Sequence, residues 1–231
     1  NTLPENGFIV KSFVTTSMAQ AIAKDYGVEL METPVGFKFI GEKIKLYDDT
    51  GLKKFIFGFE ESCGYLRGTH ARDKDAVVAS MLFAEMVCYY TEKGVSVYDR
   101  LQTLFKKYGY YFSVGVSKAF SGLNAMEEMN AVVDKMKTKK IVTIGGVPLV
   151  GKRDYSVPVR YDFVRNVKKT IDIPATNCVY YELQGGGFVC LRPSGTEPKL
   201  KIYYTIKAED YNSAETLYEA VKADFEKILA E

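Results

Sequence analysis

The sequence predicts two consecutive folded units. The first is α/β, with a parallel or mixed sheet sandwiched by helices. The second is α+β, with an antiparallel sheet and helices on one face. Two observations predict this. Up to residue 109, strand-like runs alternate with helical ones, the order that builds parallel sheets with helices on their faces. After Gly109 the order changes, and strand-like runs at 178–183, 187–191 and 199–205 follow one another closely, as antiparallel neighbours do. The boundary is therefore placed at Gly109, giving units 1–109 and 110–231.

Residues 8–14 are apolar and β-branched and read as a strand. Thr15, Thr16 and Ser17 offer N-caps to a helix through Tyr26, which Gly27 ends. Residues 28–31 are a second strand, and Pro34 and Gly36 form a loop before a helix over 37–47. Asp48-Asp49-Thr50-Gly51 reads as a turn, and 53–59 as a third strand. A polar loop follows. Asp75 then caps a long amphipathic helix through Glu92, stopped by Gly94, and Ser96 with Asp99 forms a capping box for one more. In the second unit, 110–116 is a strand and 124–137 a helix with Met126, Met129, Val132, Val133 and Met136 on a core-facing side. Turn signals and one short strand occupy 145–154. Residues 210–229 are a closing helix, with Leu217, Val221, Phe225 and Ile228 on one side.

Composition narrows the function classes. A hydrophobic fraction of 47% supports a normal core, and a net charge of +2 supplies no strong field for nucleic acid or an acidic membrane. No apolar run is long enough to span a bilayer, and no signal-peptide pattern opens the chain. Cys63, Cys88, Cys178 and Cys190 have no Cys-x-x-Cys spacing; with a single histidine they do not suit a zinc site, and they read as reduced thiols of a cytoplasmic protein. The chain opens on Asn1, not Met, which suits a segment of something longer. No Gly-x-x-x-x-Gly-Lys-Ser/Thr or Gly-x-Gly-x-x-Gly stretch follows a strand, which argues against a nucleotide-binding unit.

Two loops carry the chemistry. Arg192-Pro193-Ser194-Gly195-Thr196 lies between two strands, with Lys199 and Lys201 just beyond. A planar guanidinium, two hydroxyls and a glycine backbone suit a phosphate: the fork grips two oxygens, the hydroxyls donate, and backbone N–H groups approach without a Cβ. An ordinary turn uses the same residue types. The second loop, Gly58-Phe59-Glu60-Glu61-Ser62-Cys63-Gly64-Tyr65, follows the third strand, where ligands meet an α/β sheet. Strand alternation carried past Phe59 would turn Glu60 and Ser62 to one side, a pair suited to sugar hydroxyls. The alternative there is a solvated acidic loop.

Together these loops resemble the α-D-phosphohexomutase family, the phosphoglucomutases and phosphomannomutases. Glu60-Glu61-Ser62 resembles the sugar-binding Gly-Glu-x-Ser loop of the family's domain three, and Arg192-Pro193-Ser194-Gly195-Thr196 the phosphate-binding loop of its domain four. Arg72-Asp73-Lys74-Asp75 resembles the charged segment before domain three's long helix. Thr33-Pro34-Val35-Gly36-Phe37 resembles a further substrate loop, with Val35 where a threonine is usual. The resemblance covers the whole chain in order. It also shows what the sequence lacks: a Thr-Ala-Ser-His-Asn-Pro-like phosphoserine loop and an Asp-Gly-Asp-x-Asp-Arg-like Mg²⁺ loop. The expectation is the C-terminal half of a mutase, domains three and four, inactive alone.

The resemblance implies interconversion of hexose 1-phosphate and hexose 6-phosphate through a 1,6-bisphosphate, with glucose 1,6-bisphosphate as activator and intermediate. Arg192, Ser194, Gly195, Thr196 and Lys201 would hold the unreacting phosphate. Glu60 and Ser62 would read the sugar hydroxyls, with Gly36 and Phe37 beside them, and Lys74 and Lys11 would supply cationic or proton-handling groups. His70, as a surface histidine or a base, stays open. Tyr65 stands where some members have histidine. Glu-Glu-Ser favours glucose over mannose. Mg²⁺ would bind outside this chain, and the partners are a hexose phosphate and the N-terminal domains, with no nucleic acid or membrane. The competing reading is a free-standing, non-catalytic phosphosugar-binding module.

Overall fold

In the computed structural model, which describes residues 3–231, the chain divides into two compact units, 1–108 and 109–231. The first contains β1 (Gly7–Ser12), α1 (Met18–Asp25), β2 (Glu29–Thr33), α2 (Phe37–Thr50), β3 (Lys54–Glu60), β4 (Gly64–Leu66), α3 (Ala76–Glu92) and α4 (Val97–Tyr108). Its sheet runs β2-β1-β3-β4. β1 pairs parallel with β2 and β3, and β4 returns antiparallel on β3, so the sheet is mixed. Phe8 and Val10 of β1 point to one face, where Phe37, Ile40 and Ile44 of α2 cover them with Phe55 and Leu66. The register of β1 on β3 shifts by one residue between Phe8 and Ile9, which brings Gly58 under α2. A Cβ at Gly58 would stand 2.7 Å from Ile40 Cγ2, so this contact requires glycine.

Three local readings change. Asp48-Asp49-Thr50 is the last turn of α2, not a turn between elements: Lys45 Nζ reaches Asp49 Oδ2 at 2.6 Å and Thr50 Oγ1 donates to Leu46 O at 2.8 Å. Gly51 then ends the helix in the left-handed region, at φ 66°. Residues 64–66, read as loop, form β4. α3 is capped as expected, with the Asp75 carboxylate accepting from the N–H groups of Val77 and Val78, but it has no buried residue. Its apolar residues surround the helix rather than forming one stripe, so the expected amphipathic face is missing.

The second unit contains β5 (Tyr110–Ala119), α5 (Ala125–Thr138), β6 (Thr143–Ile144), β7 (Val147–Asp154), β8 (Val159–Asp162), β9 (Val167–Thr170), β10 (Val179–Leu183), β11 (Phe188–Pro193), β12 (Lys199–Ala208) and α6 (Tyr211–Ala230). The sheet order is β5-β12-β11-β10-β7-β8-β9, antiparallel throughout, with β6 beside β7. Inward residues of the strands, such as Tyr181, Val189, Leu191, Ile202 and Tyr204, pack with Met129, Val133 and Met136 of α5 and with Val221 and Phe225 of α6. Both helices therefore cover one face. The short strand expected within 145–154 is β7, and two strands that the sequence did not suggest, β8 and β9, extend it into a meander, β7-β8-β9. Glu182 sits among its arginines, accepting from Arg153 Nε at 2.6 Å and Arg160 Nη2 at 2.7 Å. Arg160 also holds the Asp162 carboxyl down to about 2.

Candidate functional site

The carboxyl end of β3 is where the first unit gathers polar groups. Glu60, the last residue of β3, is buried, and its Oε1 accepts from the Gly36 N–H at 2.6 Å. Gly36 precedes the first turn of α2 with φ 125°, so the carboxylate sits at a helix N-terminus, where unpaired backbone N–H groups point. Gly64, opposite Glu60 in the sheet register, marks the convergence of three side chains. A Cβ there would lie 3.2 Å from Glu60 Cβ and 3.3 Å from Lys74 Cδ and Phe37 Cδ2. The structure thus brings together Glu60, Gly36, Phe37 and Lys74. Lys74 also donates to Asp73 Oδ1 at 2.7 Å and lies over the Phe37 ring, 5.5 Å from its centroid.

Ser62 is reached differently from the sequence argument. Strand geometry stops at Glu60, and residues 61–63 form a three-residue turn into β4. Ser62 lies exposed at the tip of that turn, and Cys63 occupies the left-handed position at φ 54°. Alternation past Phe59 therefore does not place Ser62.

Lys11 is a buried cation rather than a surface lysine. At 1% exposure it donates to Thr15 O at 2.9 Å and pairs with Glu32 Oε1 at 3.0 Å. The β1–α1 turn supplies residues that sequence reasoning missed. Ser12 Oγ and Thr15 Oγ1 lie 2.7 Å apart, and both reach Glu61 Oε2, at 3.1 and 3.2 Å. By sequence Thr15 reads only as a helix cap. The available signal was a hydroxyl cluster directly after a strand of an α/β sheet. His70 is engaged with the α3 cap, its Nε2 2.7 Å from Asp75 Oδ2. That contact, with the Val78 and Val77 N–H groups, holds the Asp75 carboxyl below its ordinary value.

In the second unit, β11 and β12 form a hairpin around the Arg192–Thr196 loop. Ser194 N–H donates to Lys199 O at 2.9 Å and closes it. Ser194 Oγ accepts from the N–H groups of Thr196 at 3.4 Å and Glu197 at 3.3 Å, which shapes the tip. Arg192 and Lys201 are direct partners in the register, so two cations stand side by side under it. Gly195 and Thr196 are exposed, and a Cβ at Gly195 would meet no atom within 4 Å. Burial pushes the nearby Cys190 thiol up, partly opposed by the Arg192 charge. Cations, hydroxyls and open backbone on a hairpin are suited to a phosphate. Among the described residues no group of three His, Cys, Asp or Glu side chains is placed to hold a metal ion. No described helix is long and apolar enough to cross a membrane.

An α/β unit with a carboxylate on a helix N-terminus, followed by an α+β unit with a cationic hairpin, has a counterpart among known proteins. Residues 1–108 match the family model of phosphoglucomutase/phosphomannomutase alpha/beta/alpha domain III. The chain belongs to the phosphoglucomutase/phosphomannomutase family. It is 30% identical over 225 residues to a phosphoglucomutase of Staphylococcus haemolyticus, covering 97% of this chain and 40% of that protein. It is 27% identical to one of Staphylococcus saprophyticus, covering 92% of this chain and 38% of the relative. The chain thus spans about 40% of the length of the curated relatives it matches. In fold it is similar to pp63/parafusin, a phosphoglucomutase from Paramecium, with a TM-score of 0.65 and 19% identity over 94% of this chain and 37% of that one.

Proposed function

We propose that this chain is the sugar-phosphate-binding part of a phosphoglucomutase or phosphomannomutase, with glucose phosphates preferred over mannose phosphates. Residues 1–109 act as domain three and 110–231 as domain four. Arg192, Ser194, Gly195, Thr196 and Lys201 hold the phosphate that is not reacting. Glu60 accepts hydrogen bonds from sugar hydroxyls, and Ser62, at the turn's tip, shares that task beside Gly36 and Phe37. Lys74 supplies positive charge near the same loop. Lys11, fully surrounded, keeps the β1–α1 turn in shape and is the weaker candidate for proton handling. Substrate turns over through a hexose 1,6-bisphosphate, with the phosphoserine and Mg²⁺ contributed by residues outside this sequence. Four free thiols support a reducing, cytoplasmic setting.

The observation that carries the reading is the pairing of Arg192 with Lys201 beneath the open Ser194-Gly195-Thr196 tip. A phosphoryl-shift assay on the purified chain, with glucose 1-phosphate, glucose 1,6-bisphosphate and Mg²⁺, tests the division of labour. No turnover is expected without a phosphoserine donor. Clear turnover would mean that a residue of this chain carries the phosphoryl group, and the domain assignment would fall.

A further inference from the structure

Glu61 is the one residue of the Glu60-Glu61-Ser62 run without a role in the reading above. Its surroundings give it one. The turn 61–63 is short and exposed, and it holds Cys63, a side-chain-bearing residue, in the left-handed region at φ 54°. Such a conformation persists where neighbouring contacts hold it. Two contacts do so here. Glu60 is fastened to Gly36 at the N-terminus of α2. Glu61 Oε2 accepts from Ser12 Oγ at 3.1 Å and Thr15 Oγ1 at 3.2 Å. Those hydroxyls belong to buried residues, at 0% and 3% exposure, and lie 2.7 Å from each other. The Lys11 ammonium holds the β1–α1 turn that carries these hydroxyls, through Thr15 O at 2.9 Å. An exposed carboxylate is thereby tied to a buried and rigid anchor.

We propose that Glu61 is a positioning residue. Its clamp onto Ser12 and Thr15 sets the 61–63 turn, so that Ser62 and the Glu60 carboxylate are presented to the sugar in a preformed arrangement. The role of the clamp in sugar recognition rests on the proposed function; the clamp itself does not. Preformed contacts raise affinity because less freedom is lost on binding.

The test uses this chain with Glu61→Ala, Glu61→Gln and the Ser12→Ala/Thr15→Ala double variant. Amide hydrogen exchange over residues 61–65 is read without ligand, and affinities are read for glucose 6-phosphate and for inorganic phosphate. Glu61→Ala is expected to speed exchange in 61–65 and to weaken glucose 6-phosphate by about tenfold, leaving inorganic phosphate unchanged. The double variant reproduces both effects, and Glu61→Gln, which keeps an acceptor oxygen, restores most of each. Unchanged exchange in Glu61→Ala overturns the proposal. So does a loss of sugar affinity that the double variant does not share, because Glu61 would then touch the sugar itself. If the unaltered chain fails to bind glucose 6-phosphate, the functional reading fails, and exchange alone decides the clamp.

Discussion

Gly195→Ala separates the demands of the fold from those of a ligand. The added methyl meets no atom within 4 Å, and Gly195 is absent from the glycines held at positive φ. Nothing in the folded chain therefore requires glycine at this position. Replacing glycine where its backbone is ordinary restricts the unfolded chain and stabilises by about 0.4–1 kcal/mol. The melting temperature should hold or rise by a few degrees, at roughly 2–8 °C per kcal/mol for small to mid-sized domains. Binding should move the other way. A methyl on the hairpin tip keeps a phosphate oxygen from the backbone N–H. One lost hydrogen bond to a charged group is worth about 1.5–3 kcal/mol, or about ten- to a hundredfold in Kd. Calorimetric titration with inorganic phosphate and with glucose 6-phosphate reads the loss, and thermal melting reads the stability. Wild-type affinity in Gly195→Ala would refute the phosphate role of the tip. A lower melting temperature would refute the claim that the fold is indifferent.

Three further outcomes follow from the geometry. Glu60→Gln keeps an oxygen for the Gly36 N–H and should fold normally, yet bind glucose 6-phosphate about tenfold more weakly, since a neutral acceptor is the poorer one; equal affinity in a titration would remove Glu60 from the site. Lys11→Met retains the apolar stem but deletes a buried cation paired with Glu32, and should destabilise the first unit by about 3 kcal/mol in urea unfolding; a loss under ~1 kcal/mol would contradict that pairing. Asp162, held down to about 2 by Arg160, contributes stability that is present above its unfolded value and lost as pH falls through about 2. Asp162→Asn should therefore lower the urea midpoint at pH 6 and converge with wild type near pH 2; a pH-independent difference would exclude this linkage.

Much of the fold was legible because local chemistry and tertiary packing agreed. Gly27 ends α1 at φ 66°, Asp75 caps α3, and Met129, Val133 and Met136 of α5 face the core. The illegible parts are those where particular side-chain contacts or strand pairing outweigh local propensity. Asp48-Asp49-Thr50 reads as a turn by propensity, but side-chain bonds back into α2 carry the helix to Gly51. β9 is wholly exposed and reads Val-Lys-Lys-Thr, so it lacks the apolar alternation that marks a strand; pairing with β8 makes it one. At the candidate site, Glu60 and the Arg192–Thr196 loop were readable from residue type and position. The left-handed Cys63 turn and the Ser12–Thr15–Glu61 contacts were not, because a hydroxyl after a strand reads first as a helix cap.

The most direct test of the central claim is a backbone-amide chemical-shift titration of this chain with glucose 1,6-bisphosphate, set beside inorganic phosphate. The account predicts that inorganic phosphate shifts residues 194–196, and that the bisphosphate shifts these together with 36–37 and 60–65. Shifts absent from both regions, or confined to neither loop, would contradict the assignment of this chain as a sugar-phosphate-binding part of a mutase.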